Sequence, residues 1–347
     1  MLTFYNEHHA QHAGRHEFFR GELVPCFDTP ARADMVLAEF TRRGLGRIVT
    51  PHGVPLVSLE RIHTPRYLHF LRSAWSEWTA LDPANAGRDA IPSVWPIRSL
   101  RDDIEPDNFA AKLGLYSMDS GSPLTAGTWI AAKTGADCAV NAAHALNLGE
   151  RATFALTRPP GHHAGADFFG GYCFLNNAAL AAQHLLDDGA QRVAILDIDY
   201  HHGNGTQSIF YGRNDVLFMS IHADPRSDYP FYLGHADETG TGAGVGCNMN
   251  LPLPHGATSA QWFLALETAC IKLAGFGADK LVVSLGVDTF AGDPLSHFAL
   301  QSADFLRIGE RIAHLGLPTV FVLEGGYAVA EIGVNVVNVL EGFETAA

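Results

Sequence analysis

The segment Val193–Gly205, VAILDIDYHHGNG, runs an apolar stretch into Asp197, Asp199, His201 and His202 and then opens into a Gly-rich turn. Residues two apart in an extended chain point the same way, so Asp197, Asp199 and His201 share a face. Carboxylates and an imidazole at the carboxyl end of a buried strand sit where α/β sheets bind ligands. Such oxygen and nitrogen donors suit Zn²⁺ or a similar divalent ion. The ordinary alternative, a strand end capped by solvated polar residues, accounts for an isolated D-x-D or H-H. Four polar residues after one apolar strand point instead to metal. A second run, Leu281–Asp288 (LVVSLGVD), also ends on a carboxylate. Asp199, His201 and Asp288 then supply three protein ligands and leave a fourth position open, the pattern of a catalytic rather than a structural zinc site.

Two more segments carry suitable groups. Arg158–Asn177, RPPGHHAGADFFGGYCFLNN, places His162 and His163 in a Pro- and Gly-rich loop. A histidine pair on a loop is ordinarily surface; beside a metal-bound water it can serve as general base and acid, because imidazole titrates near neutrality. Gly161, Gly165, Gly170 and Gly171 allow close backbone approach to a substrate. Glu324–Tyr327, EGGY, presents a tyrosine on a Gly-Gly turn, able to donate a hydrogen bond to a developing oxyanion.

These four segments need a scaffold that brings them together. Short β-branched runs recur at Arg47–Thr50, Thr153–Thr157, Val193–Asp197, Val216–Ile221, Leu281–Leu285 and Thr319–Leu323, several of them near-continuously apolar, as strands buried on both faces of a parallel sheet are. Helix-like stretches rich in Ala and Leu lie between them, including Asn176–Asp188, Ser259–Ala274 and Ala303–Leu315, two of them followed by Gly189 and Gly316. The alternation predicts one wound α/β domain over residues 1–347, with a mainly parallel sheet flanked by helices. From about Ala80 to Gly127 the chain is rich in Pro, Asp, Ser and Gly and lacks periodicity, which reads as a long insertion within that domain rather than an interdomain linker.

Composition narrows the function classes. With 347 residues, 47% hydrophobic and 17% charged, the chain has ample core and is not disordered. A net charge of −14 argues against nucleic acid or an anionic membrane as partner and favours neutral or cationic ligands. Five scattered cysteines without C-x-x-C spacing, and an opening segment with neither a basic nor an apolar signal region, lead to the expectation of a cytoplasmic protein.

The stretches RPPGHHA, GGYCFLNNAA, ILDIDYHHGNGTQ, GTGAGVGCNMNLPLP, SLGVDTF and EGGY, with GELVP near the start, resemble the zinc-dependent histone deacetylase family of the arginase–deacetylase fold. The likeness runs from Tyr5 to the C-terminus and is strongest to the bacterial acetylpolyamine amidohydrolase branch. It implies zinc on Asp199, His201 and Asp288, leaving Fe²⁺ as the alternative metal, and His162, His163 and Tyr327 as the catalytic groups. It also implies Asp197 behind His162, and Gly171, Tyr172 and Tyr229 lining a substrate tunnel. A structural K⁺ would be held by Asp197, Ser220 and the backbone carbonyls of Asp199, His201 and Ile221. Asn204 departs from the Asp of many protein deacetylases, and a neutral amide raises the pKa of His163 less than a carboxylate does.

The reaction implied is hydrolysis of an acetylated amine to acetate and free amine. In the insertion, RDDIEPD (Arg101–Asp107) is acidic. Its ordinary reading is a solvated loop, but relatives use this insertion to form a homodimer that narrows the entrance, and Glu105 matches one of their acidic residues there. A second acidic position falls at Gly121, with Asp119 nearby, which favours acetylputrescine or acetylcadaverine over acetylspermidine and acetylspermine. The alternatives are a lysine deacetylase acting on proteins, an arginase-like di-manganese hydrolase and a non-catalytic acetyl-amine sensor.

Overall fold

The computed structural model describes residues 1–97 and 99–346. Residue 98, inside the expected insertion, and residue 347, the end of the expected domain, lie outside the described residues. Among the described residues ten strands are formed: β1 Leu2–Tyr5, β2 His16–Phe19, β3 Glu22–Pro25, β4 Arg47–Val49, β5 Ala152–Leu156, β6 Val193–Asp197, β7 Val216–Ala223, β8 Asn248–Leu253, β9 Lys280–Leu285 and β10 Thr319–Leu323. Eight of them build one sheet in the order β4-β1-β5-β10-β9-β6-β7-β8, and every neighbouring pair is parallel. All eight carboxyl ends therefore open on the same side. The segments holding His162–His163, Glu324–Tyr327, Asp288 and Asp199–His201 follow β5, β10, β9 and β6, four successive strands of the sheet.

Every residue of β5, β6, β7 and β10 is buried, which is why their sequences read as unbroken apolar runs. The pleat divides their side chains between two cores. Val193 and Ile195 join the layer under helices Pro65–Leu81, Thr128–Asn147 and Asn177–Asp187. Ala194 and Leu196 join the layer under Ala31–Arg43, Ser259–Phe276, Ser302–Ala313 and Ile332–Thr345. At about 25 cal/mol per Å² of apolar surface, these two continuous layers are the main force holding the strand ends in register.

The remaining strands pair as a β2–β3 hairpin, turned by Arg20 and Gly21 with φ of 51° and 87°, the left-handed pair of a type I′ turn. The insertion is not a loose linker. Ala90 and Leu124 exchange backbone hydrogen bonds of 2.9 Å, a helix forms at Phe109–Leu115, and Phe109, Leu113 and Tyr116 are buried in the first core layer. Strands on either side of it share one sheet. Among the described residues no helix is long and apolar enough to cross a membrane.

Candidate active site

Asp199, His201 and Asp288 converge beneath a cavity of about 430 Å³ at the carboxyl ends of the strands, and one ligand atom from each lies within 4.8 Å of the other two. His201 Nδ1 is 3.1 Å from Asp288 Oδ2 and 3.4 Å from Asp199 Oδ1. Backbone fixes the carboxylates: Asp199 accepts from His201 N (2.9 Å) and Gly325 N (2.7 Å), and Asp288 accepts from Tyr200 N (2.8 Å). A Cβ on Gly325 would stand 2.5 Å from both carboxylates, so glycine is required there.

These donors fit a divalent metal. Donor separations of 3.1 and 3.4 Å match the edge of about 3.4 Å expected for a tetrahedron with bonds near 2.0–2.1 Å. The electrostatics agree. Burial opposes charge on His201, but its hydrogen bonds to Asp199 and Asp288 outweigh burial and raise it to about 10. Burial and the Asp199 charge push the Asp288 carboxyl up to about 8. A site that holds protons this tightly has an excess of negative potential, and a dication would displace those protons.

His162 and His163 lie beside this cage with ring centroids 4.0 Å apart. Their loop is tied down by the next helix: Asn176, the N-cap of Asn177–Asp187, accepts from Ala179 N at 2.9 Å and donates to Ala164 O at 2.9 Å. His162 Nδ1 is 2.9 Å from Asp197 Oδ2, and His163 Nδ1 is 2.7 Å from Asn204 Oδ1. Because an amide oxygen and a carboxylate only accept, both Nδ1 atoms carry the proton, and the Nε2 of His163 is left for chemistry. Burial works against the charged form of His162, but Asp197 and Asp199 raise it to about 10. Burial and two cationic imidazole neighbours hold His163 well below the usual range. His163 faces the cavity, and His162 lies behind it, 2% exposed.

Tyr327 reaches the cavity from the loop after β10. Its backbone N–H donates to Asp293 Oδ2 at 2.6 Å, and the Arg32 guanidinium lies 4.7 Å from its ring centroid. Arg32 Nε also donates to Gly326 O at 2.5 Å, so one buried side chain clamps the turn. Arg32 is paired at 2.5 Å with Asp28, which also takes Arg158 at 3.1 Å. Burial keeps the Tyr327 phenol protonated, ready to donate.

Gly171, Tyr172 and Tyr229 line the cavity walls. Gly171 has φ +53°, and a Cβ there would come within 2.2 Å of the His163 ring. The Tyr229 ring meets His163 edge-on at 4.9 Å. Two carboxylates brace these walls, Asp119, which the sequence places near the expected acidic position, and Glu17, which sequence reasoning missed. Asp119 accepts from Gly171 N (2.7 Å) and Tyr229 OH (2.6 Å), and Glu17, on β2, accepts from Tyr172 OH (2.7 Å). Burial raises the Glu17 carboxyl to about 7. Gly121 offers no carboxylate there, and Asp119, two residues before it, lines the cavity.

Glu105 is not brought to the cavity within one chain. Its carboxylate accepts from Tyr116 OH and pairs with Lys112 at 3.2 Å, and Asp103 pairs with Arg101 at 2.6 Å. At the position expected for K⁺, Asp197 and Ser220 are register partners on β6 and β7, and no described backbone N–H reaches the carbonyls of Asp199 or His201.

Parallel sheet, strand-end cage and paired histidines define the arginase–deacetylase fold, and residues 27–343 match the histone deacetylase domain. The chain belongs to the histone deacetylase family and is a deacetylase acting on amides. It is 54% identical over 310 residues to acetylpolyamine amidohydrolase 2 of Pseudomonas aeruginosa, covering 89% of each chain. It is 45% identical over 309 residues to acetylpolyamine amidohydrolase of Mycoplana ramosa, again 89% of each. The crystal structure of acetylpolyamine aminohydrolase from Burkholderia pseudomallei superposes with a TM-score of 0.94 at 39% identity, over 100% of this chain and 99% of that one.

Proposed function

We propose that the chain hydrolyses N-acetylated polyamines and diamines to acetate and free amine, acting in the cytoplasm as a homodimer. Acetylputrescine and acetylcadaverine are the preferred substrates, ahead of acetylspermidine and acetylspermine. The observation that carries the reading is a cavity ending on the Asp199–His201–Asp288 cage with Glu17, Asp119 and Asp228 in its walls. Carboxylates in a narrow cavity attract an ammonium-bearing chain. Likeness to proteins named acetylpolyamine amidohydrolase supports it.

Asp199, His201 and Asp288 would hold Zn²⁺, or Fe²⁺. Asp197, Ser220 and the carbonyls of Asp199, His201 and Ile221 would hold K⁺. The divalent ion supplies Lewis-acid polarisation of the acetyl carbonyl and a more acidic water. The chain does the rest. Gly171, Tyr172 and Tyr229 enclose the slender acetamide. His163 Nε2 removes a proton from the attacking water and returns it to the departing amine nitrogen, with Nδ1 anchored on Asn204. His162, held charged by Asp197, steadies the negative charge that develops. Tyr327 donates its hydroxyl proton in a hydrogen bond to the carbonyl oxygen as that oxygen gains charge. Glu105 would act at the entrance through the dimer, with the insertion of a second copy narrowing the mouth.

The test is acetate release by zinc-loaded protein from acetylputrescine, acetylcadaverine, acetylspermidine, acetylspermine and an acetyl-lysine peptide. Preference for the diamines supports the reading. Preference for the peptide overturns the substrate assignment, and no turnover of any substrate overturns the chemistry.

A further inference from the structure

Away from the cage, Asp228, His255 and His297 bring a carboxylate oxygen and two imidazole nitrogens within 4.8 Å of one another. They come from three separate loops: the one before Tyr229, the one between β8 and helix Ser259–Phe276, and the one after Asp288. His255 Nε2 meets the Asp228 carboxylate, and the rings of His255 and His297 lie tilted at 37° with centroids 4.3 Å apart. Asp228 and His297 line the cavity, Asp228 as one of its wall carboxylates, and none of the three touches the reacting acetyl group in the hydrolysis described above. Backbone fixes the loops relative to one another: Gly256 N donates to His297 O at 2.7 Å, and Asp224 N donates to Leu253 O, just before the His255 loop, at 2.9 Å.

Two histidines and one carboxylate form a zinc-type donor set with an open position. Bonds of about 2.0–2.1 Å need donors about 3.4 Å apart, a closure that the solvent-exposed imidazoles can reach by side-chain rotation. The Asp228 side chain is only 14% exposed against 45% for His255, so the anion is the fixed member and the imidazoles the adjustable ones. Behind Asp228 lies the buried Tyr200 hydroxyl, which has no hydrogen-bond partner among the described residues. Such a hydroxyl can orient a ligating carboxylate, as groups behind metal ligands do.

We propose that Asp228, His255 and His297 form a second divalent-metal site of the zinc class at the cavity rim, distinct from the Asp199–His201–Asp288 cage. A cation bound there pins the Tyr229-bearing wall to the opposite loops and faces the space an ammonium-bearing substrate enters. It would therefore raise KM for cationic substrates; that consequence rests on the polyamine reading, whereas the site itself does not.

The test is equilibrium dialysis of chelator-stripped full-length protein against Zn²⁺, with bound zinc counted in the wild type, H255N/H297N, H201A and the triple variant, and folding checked by thermal melts. The expected result is that H255N/H297N loses one equivalent of zinc in both the wild-type and H201A backgrounds. Single H255N and H297N variants, each altering an exposed side chain, give the same reading if the pair folds poorly. Equal zinc with and without the rim histidines overturns the proposal. If H201A binds as much zinc as the wild type while the rim pair still removes one equivalent, the cage assignment fails and the rim site stands.

Discussion

Replacing Tyr327 with Phe removes one oxygen and leaves the ring contacts in place. The ring is held by Arg32 at 4.7 Å and Tyr172 at 5.5 Å, and the backbone by Asp293 at 2.6 Å, none of which needs the hydroxyl. The buried phenol stays protonated throughout the working pH range. Its loss should therefore act on the transition state, where the carbonyl oxygen gains charge, and hardly on the ground state. Removing one such donor costs about 2.7–4 kcal/mol, or 10²–10³ in kcat. Steady-state acetate release from acetylputrescine should show that loss in kcat, with KM within about threefold of wild type and an unchanged melting temperature. A variant within about fivefold of wild-type kcat would refute the assignment of Tyr327 to the oxyanion. A loss confined to KM would make it a binding residue only.

Three other outcomes follow from the same geometry. Asn204→Asp puts a carboxylate 2.7 Å from His163 Nδ1 and raises its pKa, so the acid limb of kcat/KM should move up by about 1–3 in pH, an unmoved limb excluding His163 as the base. Glu17, raised by burial to about 7, gains its charge as pH rises through that value, so KM for acetylputrescine should fall across neutrality and the dependence should flatten in Glu17→Gln; a pH-independent KM would sink this. Asp28→Asn leaves two buried guanidinium groups without their anion and should cost about 3–5 kcal/mol in denaturant unfolding. Burial raises the Asp28 carboxyl but Arg158 and Arg32 outweigh it, so its folded pKa is depressed: this stabilisation is full above the unfolded carboxyl pKa near 4 and is lost as pH falls through the folded value, and a deficit that persists at strongly acid pH would contradict the ion-pair origin.

Much of this arrangement was readable in the sequence because the chemistry sits at the ends of β5, β6, β9 and β10. Those strands are buried on both faces, so the apolar runs announce them, and a polar residue that ends such a run stands out. Carboxyl ends of parallel strands share one side, which is enough to bring Asp199, His201 and Asp288 together. What stayed hidden depends on distant pairings. Glu17 gains meaning only when a four-residue strand sets it against Tyr172, 155 positions away, and Arg32 only when it reaches the carbonyl of Gly326, 294 positions away. β1, LTFY, is too short to show a period. The acidic run around Glu105 looked like a mouth, yet in one chain Asp103 and Glu105 are met by Arg101 and Lys112, and whether the run faces substrate depends on a second copy.

The proposed hydrolysis depends on the buried cage seating an ion. Acetate release from acetylputrescine should be measured on chelator-stripped protein as Zn²⁺ is added back in sub-stoichiometric steps, alongside the Asp288→Asn variant. The stripped wild type should be silent and regain activity in proportion to the first equivalent of zinc, and Asp288→Asn should not regain it. Stripped protein that turns over at the metal-loaded rate, or an Asp288→Asn variant restored as fully as the wild type, would contradict the account.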